Sequence, residues 1–149
     1  MGLMDDVGRG SVGIDTAIFI YYIEEHPAYF GLVNPLFEAL DQNRCQGVTS
    51  TLTLLETLVV PYRAGDSVLA NRYEALLSRS RGLRLVDLDR ALLRAAARLR
   101  AAYSVKTPDS IQLAAALSRA CVTFLTHDRP LSKVQGIRIL QIGEYLSND

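Results

Sequence analysis

Tryptophan is absent from the 149 residues, and cysteine and histidine occur only twice each. Cys45 and Cys121 are too few for a disulfide framework, and neither they nor His26 and His127 have the spacing of a zinc site. Both cysteines lie in or beside apolar stretches and read as small buried hydrophobes. No apolar run approaches the ~20 residues of a membrane-spanning helix. The N-terminus is acidic and glycine-rich, unlike a secretory signal, and Asp6 stands where a myristoylation pattern wants Ser or Thr. A soluble, cytoplasmic protein is expected. Neither sign of charge is in excess: 16 Lys and Arg face 16 Asp and Glu, for a formal net charge of zero. That excludes attachment to nucleic acid by bulk positive charge, though not by a local basic surface. The phosphate loop G-x-x-x-x-G-K-[ST] and the nucleophile elbow G-x-S-x-G are also missing. Gly8-Arg9-Gly10-Ser11-Val12-Gly13 matches G-x-G-x-x-G but precedes the first predicted strand, the wrong place for a dinucleotide fingerprint.

What is present is a chain 49 % hydrophobic, enough to build a core, with no internal repeat or linker. Residues 1–10 read as a flexible tail, and residues 11–149 as one domain. Short apolar strands are predicted at Val12–Ile14, Gly47–Thr49, Leu83–Val86, Val122–Leu125 and Gly136–Leu140. Helices are predicted at 16–25, 29–42, 51–63, 66–80, 89–103 and 107–119, the last with Thr107 as N-cap and Pro108 at its first position. On the third of these helices, 51–63, Leu52, Leu55, Val59 and Val60 form the apolar stripe. Strands separated by one or two helices pair in parallel through crossovers, and continuous apolar strands suit a sheet covered on both faces. The expected class is α/β: a three-layer α/β/α sandwich with a mostly parallel, roughly five-stranded sheet. Ligands of such sheets bind beyond the carboxyl ends of the strands.

Four carboxylates stand out against the rest, which sit at helix ends and polar faces. Asp15 follows the first strand and precedes Thr16-Ala17-Ile18-Phe19-Ile20; the alternative is a plain N-cap. Asp128 follows the fourth strand through Thr126-His127; the alternative is a turn before Pro130. Glu56 borders the stripe of its helix, where an unpaired carboxylate is costly to bury; the alternative is a rim position reaching water. Asp109 is at the second helical position after Thr107-Pro108, where a favourable interaction with the helix dipole is the alternative. Asp15 and Asp128 emerge on one sheet edge and Glu56 can lean toward it, but spacing does not place Asp109. Converging carboxylates repel, and a hard divalent cation relieves the repulsion. An all-carboxylate site without His or Cys therefore points to phosphodiester chemistry.

These residues resemble the PIN domain family, and the chain's size resembles the VapC-type toxin ribonucleases. The resemblance runs from about Val12 to Leu146. It rests on Ile14-Asp15-Thr16, on Val48-Thr49-Ser50 with Glu56 six residues on, on Thr107-Pro108-Asp109-Ser110-Ile111-Gln112-Leu113-Ala114-Ala115-Ala116, and on Phe124-Leu125-Thr126-His127-Asp128. It implies that Asp15, Glu56, Asp109 and Asp128 are the catalytic, metal-binding acids around Mg²⁺ or Mn²⁺, with Thr16, Ser50 and Thr126 in support. It also implies an RNA substrate, a homodimer and a small antitoxin seated in the active-site groove. Two positions depart from the family pattern: Thr57-Leu58-Val59 follow Glu56 where a small residue is usual, and Leu131 stands where an aromatic is usual. Lys106, Arg129 and Lys133 are near the acids in sequence and are candidates for holding phosphates. Tyr21 or Tyr22 is a candidate for base stacking, with core packing as the alternative. Other readings are a housekeeping RNA-processing nuclease and a non-catalytic RNA- or protein-binding module. A phosphoacceptor would want a second acid two residues after Asp15, where Ala17 stands.

Overall fold

The computed structural model describes residues 2–146. Five short strands form one sheet: β1 (Ser11–Ile14), β2 (Gln46–Ser50), β3 (Leu83–Val86), β4 (Thr123–Thr126) and β5 (Arg138–Gln141). Their order is β3-β2-β1-β4-β5, and every pairing is parallel. Helices α1 (Leu3–Val7), α2 (Thr16–Ile23), α3 (Phe30–Asp41), α4 (Leu52–Ala64), α5 (Ser67–Arg79), α6 (Arg90–Tyr103) and α7 (Thr107–Ser118) surround it. This is the expected α/β class, with the sheet parallel throughout.

Alternation along β1 splits the core in two. Val12 and Ile14 face α1, α2 and α3, joined by Leu125 of β4. Gly13 faces the other way, toward α7, in the layer that holds Phe124, Leu113 and Ala116. A Cβ at Gly13 would lie 2.6 Å from both Ala116 Cβ and Phe124 Cδ1. The missing side chain thus lets α7 lie close against the central strand.

Caps set the helix limits. Asp66 and Asp89 accept from the backbone N–H of Leu69 (3.0 Å) and Leu92 (2.8 Å). Gly65 ends α4 in the left-handed conformation (φ 68°), which glycine adopts without steric penalty.

Three expectations are corrected. The tail over residues 1–10 is not loose where it is described: Leu3 and Val7, four residues apart on α1, are both buried in the core. Asp6 then accepts from Tyr145 Oη (2.6 Å) and pairs with Arg138 (3.3 Å), tying α1 to the other end of the chain. Met1 and residues 147–149 lie outside the described residues. Thr107 is not the N-cap of α7; Lys106 carries the extended backbone of that position, so Asp109 is the third helical residue and not the second. The apolar stripe of α4 is likewise not its buried face. Leu55, Val59 and Val60 are 65, 42 and 61 % exposed, while Thr53, Thr57, Leu58 and Pro61 point inward. Thr53 faces inward into a polar network beneath the sheet edge, while the Thr57 hydroxyl donates back to the Thr53 carbonyl at 2.7 Å.

Candidate active site

Strand register assembles the site. β1 and β2 align Gly13 with Val48, and β1 and β4 align Ile14 with Leu125. Continuing those registers places Ser50, Asp15, Thr126 and Gln141 in one row at the carboxyl edge, Thr126 and Gln141 being direct partners. All four come to the same edge because the strands are parallel.

Asp15 is the first residue past β1 and the N-cap of α2. Its Oδ1 accepts from the Thr16 N–H at 2.9 Å and its Oδ2 from Thr126 Oγ1 at 2.7 Å. The capping role and the site role thus belong to one carboxylate. Burial pushes its pKa up, the two donors oppose that, and the charges of Glu56 and Asp128 push it further up. Glu56, on α4, accepts from Thr16 Oγ1 at 2.6 Å. Thr16 therefore ties both acids together, one through its backbone and one through its hydroxyl.

Thr126 also joins Asp15 to Asp128, whose backbone N–H donates to Thr126 Oγ1 at 3.0 Å. Gln141 Nε2 donates to the Asp128 carbonyl at 3.0 Å and to Ser132 Oγ at 2.9 Å, fixing the loop behind it. Asp109 meets this edge from α7. Its carboxyl lies beside that of Asp128 and feels the charges of Asp15 and Asp128. Burial first, then these acids, raise its pKa to about 8, against a lowering by Lys106. Asp109 lies here because α7 leads into β4: a helix entering the amino end of a parallel strand must begin at the carboxyl edge. That topological signal was available in the element order and was not used in reading the sequence.

A buried hub underlies the acids. Gln112, one turn beyond Asp109, is 2 % exposed. Its Oε1 accepts from the Ser50 N–H (3.0 Å) and from Thr49 Oγ1 (3.2 Å). Its Nε2 donates to Thr53 Oγ1 (2.8 Å) and Thr16 Oγ1 (3.3 Å). Gln112, Thr49 and Thr53 were missed in the sequence because nothing local marks a buried amide among alanines as a hub. Ser50 joins through its backbone, while its hydroxyl accepts from the Leu52 N–H at 3.3 Å and does not touch the acids. Lys106, Arg129 and Lys133 are exposed, the last two on a short 3₁₀ helix (Arg129–Lys133) after Asp128.

All the convergent donors are oxygens, the set that suits a hard divalent cation, and their mutual repulsion is what such a cation would relieve. Among the described residues, no three His, Cys, Asp or Glu side chains meet tightly enough to hold one ion by themselves. The acids surround the edge in linked pairs, as the pKa shifts of Asp15 and Asp109 record.

An all-parallel α/β sheet with acids gathered at its carboxyl edge defines the class of protein. The chain belongs to the PIN domain family, whose family model matches residues 12–137. Among curated proteins none matches the sequence significantly. Solved structures are similar in fold. VapBC2 from Rickettsia felis, bound to a DNA fragment from its promoter, has a TM-score of 0.69 at 16 % identity, over 89 % of this chain and 98 % of that one. VapC20 from Mycobacterium tuberculosis, a toxin that cleaves the sarcin-ricin loop, has 0.65 at 16 %, over 85 % and 98 %. DNA-bound VapBC from Salmonella typhimurium has 0.61 at 22 %, over 91 % and 98 %.

Proposed function

We propose that this protein is a metal-dependent endoribonuclease and the toxin of a toxin–antitoxin pair. The observation that carries the reading is the collection of Asp15, Glu56, Asp109 and Asp128 from four separate elements at one sheet edge, close enough to raise the pKa of Asp15 and Asp109. Burying that much like charge is costly unless a cation or substrate exploits it. The four acids would hold Mg²⁺, with Mn²⁺ as a substitute. When bound, such an ion supplies the charge that neutralises the phosphodiester and makes a water more acidic.

The protein's own part is positioning. Asp15 is held by two donors and Glu56 by one, so their lone pairs are aimed before anything binds. One carboxylate orients or deprotonates the attacking water. Lys106, Arg129 and Lys133, all exposed, would take phosphates beside the cleaved bond. With no net charge on the whole chain, affinity for RNA depends on these local cations.

Two things support a small protein partner: VapBC complexes share the fold, and the exposed Leu55, Val59 and Val60 flank Glu56 on α4. An antitoxin would cover that face and the groove, and the active form would be a homodimer in the cytoplasm.

Purified protein is expected to cleave single-stranded RNA in Mg²⁺ or Mn²⁺ and to stop in EDTA. Asp15→Asn should lower the rate at least about a thousandfold, since a metal-water pathway loses a ligand, while its circular dichroism stays that of the wild type. Undiminished cleavage by the variant would refute the reading. Growth arrest on expression, relieved by a neighbouring small gene product, separates a toxin from a housekeeping nuclease.

A further inference from the structure

Tyr21 and Tyr22 are neighbours on α2 with opposite fates. Tyr22 enters the core, stacking on Phe37 with centroids 4.1 Å apart and on Phe30 at 6.0 Å. Tyr21 also packs partly against the core but joins His26, Tyr29 and His127 in a cluster of rings. Tyr21 and Tyr29 stack at 4.8 Å with 24° between planes. His127 stands edge-on to both, 5.9 and 5.2 Å away, at 68° and 70°.

The cluster is rigid and open at once. His127 is exposed, and the three other rings are half-buried. Both His127 nitrogens are engaged: Nδ1 pairs with Tyr21 Oη at 2.5 Å, and Nε2 with Tyr29 Oη at 3.3 Å. His26 Nδ1 accepts from the backbone N–H of Ala28 (3.0 Å) and Tyr29 (3.3 Å), locking the turn that presents Tyr29. Fixing an exposed imidazole at both ends contributes little to stability, but it pre-organises a surface for binding. The location matches. His127 lies between Thr126, whose hydroxyl holds Asp15, and Asp128.

We infer that Tyr21, His26, Tyr29 and His127 form a stacking platform for an unpaired nucleobase next to the cleaved bond. The inference rests on the ribonuclease reading above and adds where the substrate's base goes. Four planar rings gathered in one cluster suit a base face, and single-stranded RNA is recognised by bases splayed onto such rings. A strand that offers a phosphate to the acids carries its neighbouring base within reach of His127.

The test uses short single-stranded oligoribonucleotides, one intact and a series with a single abasic site at successive positions. Affinity is read by fluorescence anisotropy on the Asp15→Asn protein, which leaves the RNA uncut. One abasic position beside the cleaved bond is expected to weaken binding about tenfold. Adding Tyr29→Leu should weaken binding of intact RNA by a similar factor and abolish the abasic effect, while Tyr29→Phe, which keeps the ring but drops the contact with His127, should retain most of the affinity and the abasic effect. If every abasic RNA binds like intact RNA while wild-type protein cleaves it, the platform is wrong and the nuclease reading stands. If wild-type protein neither binds nor cleaves RNA, both fall. If Tyr29→Leu keeps RNA affinity but loses a co-purifying protein, the rings are a protein contact and the inference is overturned.

Discussion

The two halves of the acidic edge are built differently. Asp15 and Glu56 receive donors from Thr16 and Thr126 and stand on the buried Gln112 hub. The side chains of Asp109 and Asp128 lean on one another, with Lys106 the cation that lowers Asp109. One half is held by donors of the fold, though burial and the charges of Glu56 and Asp128 still raise the pKa of Asp15. The other stores repulsion, which marks it as the half that a bound cation would change most. The first half is scaffold and site together, whereas the second is a site that the scaffold merely tolerates.

The strongest way to break this contrast is to remove the hub. Gln112→Leu is nearly isosteric, yet it leaves the Ser50 N–H and the hydroxyls of Thr16, Thr49 and Thr53 short of a partner. It should cost about 2–3 kcal/mol in urea unfolding, because stranded buried polar groups are expensive, and it should slow cleavage by loosening Thr16. A loss confined to stability would show that the hub does not position the acids. Next comes Thr126→Val, which cuts the link between the halves by removing one donor to Asp15 and the acceptor of the Asp128 N–H. About 1–2 kcal/mol of stability should be lost, by the same unsatisfied-partner argument, together with much of the activity. Thr126→Ser, which keeps the hydroxyl, should restore most of both.

A third effect concerns Asp109 and runs in the opposite direction. In metal-free protein it keeps a proton up to about pH 8, whereas in the unfolded chain it releases one near pH ~4. Between those values the folded state binds more protons, so stability falls as pH rises. Melting temperature in EDTA should therefore drop from pH 5 to pH 8. Asp109→Asn should flatten that slope, leaving the part due to Asp15, whose pKa is raised in the same direction. Adding Mn²⁺ at pH 8 should raise the melting temperature of the wild type more than that of the variant. An unchanged slope in the variant would show that the second half stores no repulsion.

How much was legible follows from how each residue is placed. Asp15 and Asp128 are legible because Asp15 directly follows a strand and Asp128 follows one after His127, so strand direction brings both to the same edge. Glu56 was found for a partly mistaken reason. The stripe it was thought to border points to solvent, and its partner is Thr16, forty residues earlier. Periodicity tells that a helix has two faces, and here the buried face carries threonines because a polar hub lies behind it. Helix α1 was missed for a similar reason: Leu3 and Val7 are only two apolar residues, and their burial depends on the core they meet.

The sequence by itself determined the alternation of short apolar strands with helices, and hence a parallel sheet whose carboxyl edge carries function, because those patterns are local. The tertiary structure decided what shares that edge. Thr126 meets Asp15 across 111 residues, and Gln112 meets Thr16 across 96. Such contacts depend on strand order and register, which no local period encodes. The same distinction separates Tyr21 from Tyr22: two adjacent identical side chains point about 100° apart on a helix, so one stacks on Phe37 while the other joins the rings around His127.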